Sequence, residues 1–128
     1  MNHTNLALSL LSETFAICRL GPEADIPSWA LAGGFFSVTR TEQELSLVCL
    51  QEIVPEGTRC EKGFRCLKVR GPLDFSLTGI LSSLTIPLAQ AGISVLAIST
   101  FDTDYLLVKE AQVDRAVQKL SKAGHRFV

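Results

Sequence analysis

Two short polar segments of this chain have the residue types and the spacing that ligand binding requires. The first reads GPLDFSLTG, from Gly71 to Gly79. Gly79 lets backbone donors approach a ligand closely, and a helix starting there offers unpaired N–H groups and a positive dipole end to a carboxylate or phosphate. Asp74 could pair with an ammonium group, so one loop would bind both charged ends of a zwitterionic amino acid. The alternative is that Ser76 or Thr78 caps the helix and that Asp74 is solvated.

The second polar segment reads STFDTD, from Ser99 to Asp104. Asp102 and Asp104 stand two residues apart, which suits a cation: either Ca²⁺ or the amine or guanidinium of a ligand. The spacing is not that of an EF-hand, because the glycine and the distal glutamate of that loop are missing. An ordinary polar hairpin turn, with aspartate as a turn former, is the alternative. The matching stretch of the first half, residues 39–42, carries an arginine and a glutamate.

Residues suited to catalysis or to metal binding form no recognised pattern. Both histidines, His3 and His125, lie near the chain ends, which leaves no plausible Ser-His-Asp or Cys-His set. The four cysteines contain no C-x-x-C spacing, so we interpret them as reduced, mostly buried residues rather than zinc ligands. Cys60 is the thiol expected to be exposed. We therefore expect no enzymatic activity, no metal and no cofactor, the alternative being an enzyme that uses Cys60 or Cys66.

The composition excludes several classes of partner. Twelve basic residues nearly cancel thirteen acidic ones, so no overall field attracts nucleic acid or an anionic membrane. The strands that would form a nucleic-acid-binding sheet carry no stacking aromatic residues. Apolar stretches stop well short of the length of a membrane span, and the amino terminus lacks the charged region of a signal peptide. We expect a soluble cytoplasmic protein that binds neither nucleic acid nor membrane.

The chain contains an internal repeat that would position both polar segments. Phe36 to Cys49 aligns without a gap with Leu96 to Lys109, at an offset of 60 residues (36 to 96). Upstream, Cys18 to Pro22 aligns with Lys68 to Pro72 at an offset of 50 residues (18 to 68), so the first copy is ten residues shorter. A period of this size indicates duplicated supersecondary units that bury a face together.

The second copy contains a complete set of predicted elements. Its apolar spacing predicts strand, helix, strand, strand, helix and strand over residues 64–71, 77–91, 93–100, 104–110, 113–120 and 125–128. Pro87 should weaken or kink the first helix, because it removes a backbone donor. This order is that of the ferredoxin-like unit, a four-stranded antiparallel sheet with two helices on one face.

The first copy is truncated and rich in strands. Strands are predicted over residues 15–20, 34–39 and 45–53, with only a short turn at 27–31 and a Pro/Gly-bearing linker at 54–63. The leading segment, residues 6–11, alternates like a strand and is predicted to replace the missing fourth strand. We therefore predict an α+β fold of two units, 1–60 and 61–128, that fold as one body because the truncated unit cannot form its own core.

Three runs of sequence carry a resemblance to a known family. FRCLKVRGPLDFSLTGIL, AGISVLAISTFDTDYLLV and FFSVTRTEQELSLVC resemble the ACT domain, and more narrowly the small tandem-ACT proteins of bacteria and the ACT segments of the arginine-sensing CASTOR proteins. The resemblance implies a regulatory module that binds an amino acid at the interface between two ACT units, often side by side in one sheet. It implies a protein that senses a ligand and catalyses no reaction.

The resemblance also implies which positions face the ligand. They are the loop and helix start of the second copy and the opposing strand ends: Asp74, Phe75, Thr78, Gly79, Ile80, Ser37, Thr39, Ser99, Thr100, Asp102 and Asp104. The expected partners are an amino acid, a second copy in a homodimer, and a regulated protein. The alternative is a structural or protein-interaction module, dimerising through its ACT units, that binds no small molecule.

Overall fold

The computed structural model describes residues 5–71, 73 and 78–128. The chain divides into two compact units, one formed by Met1–Ser12 with Arg65–Val128 and the other by Glu13–Phe64. The strands are β1 (Ala7–Leu20), β2 (Ser37–Arg40), β3 (Leu45–Leu50), β4 (Cys60–Val69), β5 (Leu96–Ser99), β6 (Asp104–Lys109) and β7 (Arg126–Phe127); the helices are α1 (Ile80–Gln90) and α2 (Val113–Lys122). The predicted mixed α/β class, with antiparallel strands and two helices, is confirmed.

The larger unit, Met1–Ser12 with Arg65–Val128, contains the elements of the second copy in the predicted order β4-α1-β5-β6-α2-β7. Its strand order is β1-β4-β6-β5, with β7 pairing β1 in parallel and β5 pairing β6 antiparallel. The start of β1 therefore lies between β4 and β7. The N–H of Arg70 donates to the carbonyl of Ala7 at 2.8 Å, and the N–H of Arg126 donates to that of Leu6 at 2.9 Å.

The position of the leading strand differs from the sequence prediction. Residues 6–11 were assigned to the first copy as its missing strand, but their partners here are β4 and β7 of the second copy. They also belong to one long strand, Ala7–Leu20, rather than to a separate short one. The physical reason is burial: Leu6 and Leu8 are 7% and 0% exposed within the core of the larger unit, and burying a leucine stabilises a fold by about 1.5–3 kcal/mol.

Both helices contribute one apolar face to that core. The buried positions are Ile80, Leu84 and Leu88 of α1 and Val113, Ala116 and Leu120 of α2, packed with Leu67, Val69, Leu106 and Val108 of the strands. These positions recur every three or four residues, as an amphipathic helix requires. The two helices predicted from this spacing are confirmed.

The helix α1 continues through Pro87 because a histidine replaces the missing donor. A residue at position 87 would normally donate to the carbonyl of Ser83, four residues earlier, and proline cannot. The Nε2 of His125 lies 3.0 Å from that carbonyl, and its Nδ1 accepts the N–H of Leu6 at 3.1 Å. Since a carbonyl only accepts, Nε2 carries the proton and Nδ1 does not. His125, 4% exposed, is thus a structural residue that ties α1 to the leading strand.

The smaller unit, Glu13–Phe64, has the strand order β2-β3-β1-β4. Its core consists of Ala16, Cys18, Ala30, Leu45, Leu47 and Cys49, with Trp29 and Cys60 packed against it. A short 3₁₀ turn, Ser28–Leu31, stands where the second copy has α1, and no α-helix occurs within residues 13–64. The truncation predicted for this copy, which retains strands without an α-helix, is therefore seen in the element content.

The two copies share one detail of turn geometry that fixes their alignment. In β2–β3 the N–H of Thr41 donates to the carbonyl of Glu44 at 2.8 Å, and in β5–β6 that of Thr100 donates to Thr103 at 2.8 Å. In both turns the threonine hydroxyl also accepts the N–H three residues on, at 3.1 and 3.2 Å. The structural offset at the turn is therefore 59 residues (41 to 100), one less than the ungapped sequence alignment gives.

Within the described ranges, none of the helices is long and apolar enough to cross a membrane.

Candidate functional site

The turn between β5 and β6 is closed by the backbone and hydroxyl of Thr100. Its hydroxyl lies 3.0 Å from the carbonyl of Thr103 and accepts the Thr103 N–H at 3.2 Å. Together with the backbone bond, these contacts fix residues 100–103 as a rigid polar turn. Phe101 and Asp102 form its exposed tip, where Phe101 is 79% exposed.

The two predicted aspartates have different surroundings. The hydroxyl of Ser99 donates to Oδ1 of Asp104 at 2.5 Å, and the Asp104 side chain is half-buried. The Asp102 side chain is exposed at the tip. A carboxylate that already accepts a hydrogen bond from a hydroxyl is held in place, whereas a carboxylate exposed at a turn tip is accessible to a cation from solution. Asp102 is therefore the better candidate for contact with a cationic group, and Asp104 for holding the turn.

The turn is attached to the connection between β4 and α1. The N–H of Leu73 donates to the carbonyl of Asp102 at 2.7 Å, and the hydroxyl of Thr103, which is 7% exposed, donates to the carbonyl of Val69 at 2.7 Å. At Gly71, an added Cβ would lie 2.9 Å from the Asp102 carbonyl oxygen. Only glycine permits this approach. The two polar segments singled out from the sequence are thus in direct contact within the larger unit.

The start of α1 has the features expected of a ligand-facing helix end. Gly79 is the N-cap residue, with φ of 77°, and among the described residues no side chain caps the helix. Thr78 and Gly79, which lead into the helix, are exposed. Ile80, by contrast, is 9% exposed and belongs to the apolar core. Asp74 and Phe75, with Ser76, lie outside the described residues.

The remaining predicted positions lie in the smaller unit. Ser37 and Thr39 are on β2, opposite Val48 and Ser46 of β3; Ser37 is half-buried and Thr39 is exposed. The structure therefore brings Ser99, Thr100, Asp102 and Asp104 together with the Gly71–Leu73 connection. A role of Ser37 and Thr39 in the same site stays a prediction.

The equivalent turn of the first copy has its acidic residues at other positions. With the offset of 59, Asp102 corresponds to Gln43 and Asp104 to Leu45. The carbonyl of Gln43 still accepts a hydrogen bond, here from the guanidinium of Arg19 at 2.9 Å, as that of Asp102 does from Leu73. The support of the turn is kept, while its carboxylates belong to Glu42 and Glu44 rather than to the positions equivalent to Asp102 and Asp104.

Several residues of the site were not predicted from the sequence. Thr103 and Gly71 support the turn, and Lys68 places its Nζ 5.9 Å from the ring centroid of Tyr105 on the adjacent strand. The glycine before a proline in GPLDF predicted a turn beginning at Gly71, but not its support of the turn at 100–103. Thr103 has no comparable signal, because a threonine in a polar turn is ordinary. In the part of the chain that the structure describes, no three His, Cys, Asp or Glu side chains gather as a metal site.

Comparison with known proteins agrees with this architecture. The ACT domain family model matches residues 59–122, half of the chain; the chain belongs to the ACT domain family. A second model, described as an N-terminal domain, matches residues 13–57. No curated protein matches the chain.

Solved structures include one sequence relative and several similar folds. A protein of Agobacterium tumefaciens is 40% identical, with a TM-score of 0.93 over 98% of this chain and 93% of that one. A Vibrio cholerae protein described as a possible transport protein is 18% identical, with a TM-score of 0.77 over 94% and 91%. The ligand-free regulatory subunit of aspartate kinase from Thermus thermophilus is 10% identical, with a TM-score of 0.67 over 94% and 99%. The last two share the fold alone.

Proposed function

We propose that this protein is a regulatory module that binds an amino acid where ACT units meet, and that it catalyses no reaction. The observation that carries the proposal is the contact of the β4–α1 connection with the aspartate-bearing turn, made by the 2.7 Å bond from Leu73 to Asp102 and the close approach of Gly71. Membership of the ACT domain family and the fold shared with a regulatory subunit of aspartate kinase support a regulatory, ligand-binding role.

Each end of an amino acid has a matching group in the larger unit. In the proposal, the ligand carboxylate accepts hydrogen bonds from the N–H groups that open α1 beside Thr78 and Gly79, where the helix dipole favours an anion. The ligand amine, or a cationic side chain, pairs with Asp102 or with Asp74. Ser99 and Asp104 hold the turn, since their side chains bond each other at 2.5 Å.

The proposal also retains the tandem organisation. In it, residues 61–128 together with the leading strand are the complete, ferredoxin-like ACT domain, and the rest of residues 1–60 is a truncated ACT-like unit that supplies Ser37 and Thr39 to the ligand site. The matching threonine turns at Thr41 and Thr100 support a common origin of the two copies. A relationship to the arginine-sensing CASTOR proteins and a cytoplasmic location belong to the same proposal.

A second candidate function is a protein-interaction module that dimerises through its ACT units and binds no small molecule. It is favoured by β5, which stands last in its sheet among the described strands and carries Leu96 at 37% exposure. Exposed strand edges are normally paired or protected. Light scattering distinguishes a homodimer from a monomer of 13.9 kDa.

Calorimetric titration of two matched variants tests the leading proposal. Asp102→Ala removes the exposed carboxylate, whereas Gln43→Ala makes the same truncation at the equivalent turn of the first copy. We expect an amino acid that binds the wild-type protein and Gln43→Ala alike to lose binding to Asp102→Ala. Equal affinity of all three proteins would remove Asp102 from the site.

A further inference from the structure

Three of the four cysteines converge in the smaller unit, which does not contain the turn described above. Cys18 and Cys49 are buried members of its core, at 1% and 0% exposure, and Cys60 packs against that core while half-buried. Cys18 is on β1, Cys49 on β3 and Cys60 on β4, so the middle strand carries a thiol with one neighbour on each side. Nothing in the proposed function uses this cluster.

The strand register determines which pair can be joined. The N–H of Arg19 donates to the carbonyl of Arg59 at 2.9 Å, so Cys18 and Cys60, one step further along, lie directly opposite each other. In an antiparallel pair this step is a non-hydrogen-bonded one, with Cα atoms about 4.5 Å apart. That spacing falls at the lower end of the range of about 4.4–6.8 Å that a disulfide accepts.

The other combinations are less well placed for a bond. Cys49 pairs with Ala16 and Cys18 with Leu47, so Cys18 and Cys49 are diagonal neighbours about 7–8 Å apart. Their thiols contact each other, but a disulfide across that backbone separation requires backbone movement. Cys49 and Cys60 lie on opposite sides of β1, two strand spacings apart at about 9.5 Å, which is beyond the reach of a disulfide.

Access then decides which thiol reacts first. Cys18 is shielded, and burial with the neighbouring Cys49 and Cys60 thiols raises its pKa to about 12, so near neutral pH it is the protonated, less reactive partner. Cys60 is the one of the three whose side chain reaches solvent. Susceptibility of a thiol to oxidation follows exposure.

We propose that Cys60 is an oxidation site for hydroperoxides and that Cys18 resolves the product as an intramolecular disulfide. The Cys60 sulfur attacks the hydroperoxide, its O–O bond breaks, and one oxygen stays on sulfur as a sulfenic acid while water or an alcohol leaves. The Cys18 sulfur then attacks the sulfenic sulfur, forming the S–S bond and breaking the S–O bond. The hydroxyl leaves with the Cys18 proton as water, and the two electrons lost by the thiols have reduced the hydroperoxide. Because opposed Cα atoms this close strain a disulfide, a dithiol reductant should reverse the reaction readily.

Peptide mapping of the whole protein after treatment with hydrogen peroxide tests this assignment. The sample is unfolded in an alkylating agent and analysed by mass spectrometry, with Cys66→Ser as the matched control because Cys66 is buried in the other unit. We expect a Cys18–Cys60 cross-link within one chain in the wild type and in the control, removed by dithiothreitol, with Cys49 alkylated. In Cys18→Ser we expect a dimedone-reactive sulfenic acid at Cys60.

Other products would overturn the assignment. A disulfide that joins Cys60 to Cys49 or to a second chain would exclude the proposed pair. The pair is also excluded if Cys60 is still fully alkylated when free glutathione in the same tube has been oxidised. If Cys18→Ser does not fold by circular dichroism, Cys60→Ser replaces it, since its side chain is half-buried. That variant should keep all three remaining thiols after peroxide, and loss of the Cys18 thiol from it would contradict the proposal.

Discussion

Replacing Gly71 by alanine should separate the two halves of the candidate site. The added Cβ would lie 2.9 Å from the carbonyl oxygen of Asp102 and 3.1 Å from Cβ of Thr103. The first of these atoms belongs to the backbone and cannot turn aside like a flexible side chain. The turn must therefore move away from the β4–α1 connection, which lengthens the 2.7 Å bond from Leu73 to Asp102.

The size of the effect follows from opposing contributions. Overpacking costs about 1–3 kcal/mol, and a weakened hydrogen bond costs about 1 kcal/mol. Alanine also restricts the unfolded chain, which offsets about 0.4–1 kcal/mol. We expect Gly71→Ala to lower the free energy of unfolding by about 1–3 kcal/mol.

Gly21 provides a matched control from the other copy. It occupies the position equivalent to Gly71 in the Gly-Pro alignment, and an added Cβ there would meet no atom within 4 Å. Gly21→Ala should be neutral or stabilising by up to about 1 kcal/mol. Urea unfolding followed by circular dichroism compares the two, and equal stability of Gly71→Ala and Gly21→Ala would refute the close contact on which the site depends.

Three further predictions concern other parts of the chain. Burial raises the pKa of Cys18 from 9.0 to about 12, so between these pH values the unfolded state has lost the thiol proton while the folded state keeps it. The stabilisation is fully present below pH 9, and the free energy of unfolding then falls by about 1.4 kcal/mol per pH unit up to about pH 12. Urea unfolding measured across this window should show a shallower pH dependence for Cys18→Ala, and an unchanged pH dependence would contradict the buried thiol. His125→Ala should cost about 1–3 kcal/mol in urea unfolding, because both hydrogen bonds of this buried imidazole are lost. The same change should cost less in a Pro87→Ala background, where residue 87 can itself donate to Ser83; strictly additive costs in this double-mutant cycle would mean that His125 does not replace the missing donor.

Local patterns in the sequence were sufficient for most elements and for one half of the site. The helices follow from apolar residues every three or four positions, such as Leu84 and Leu88, and the acidic turn from the Asp102–Asp104 spacing. Both are properties of neighbouring residues. The turn can be recognised without knowing what packs beside it.

Features that depend on distant residues could not be derived in this way. The alternation at Leu6 and Leu8 fits any half-buried sheet, so it does not reveal that the strand lies between β4 and β7. The contact of Gly71 with Asp102 joins residues far apart in the chain. The hydrogen bond by which His125 replaces the donor that Pro87 lacks also joins distant residues. Even the repeat offset was one residue too long, because an ungapped alignment matches apolar character, whereas Thr41 and Thr100 set the geometry of the turn.

Amino-acid binding is the central claim, and a thermal-shift panel of the standard amino acids tests it most directly. A ligand that binds only the folded state at a hundredfold excess over its Kd adds about 2.7 kcal/mol of stability, which raises the Tm of a domain this size by on the order of 10 °C. We predict that one amino acid, or a few chemically related ones, raises the Tm of the wild-type protein but not that of Asp102→Ala. A flat profile across the whole panel for the wild-type protein would contradict the account.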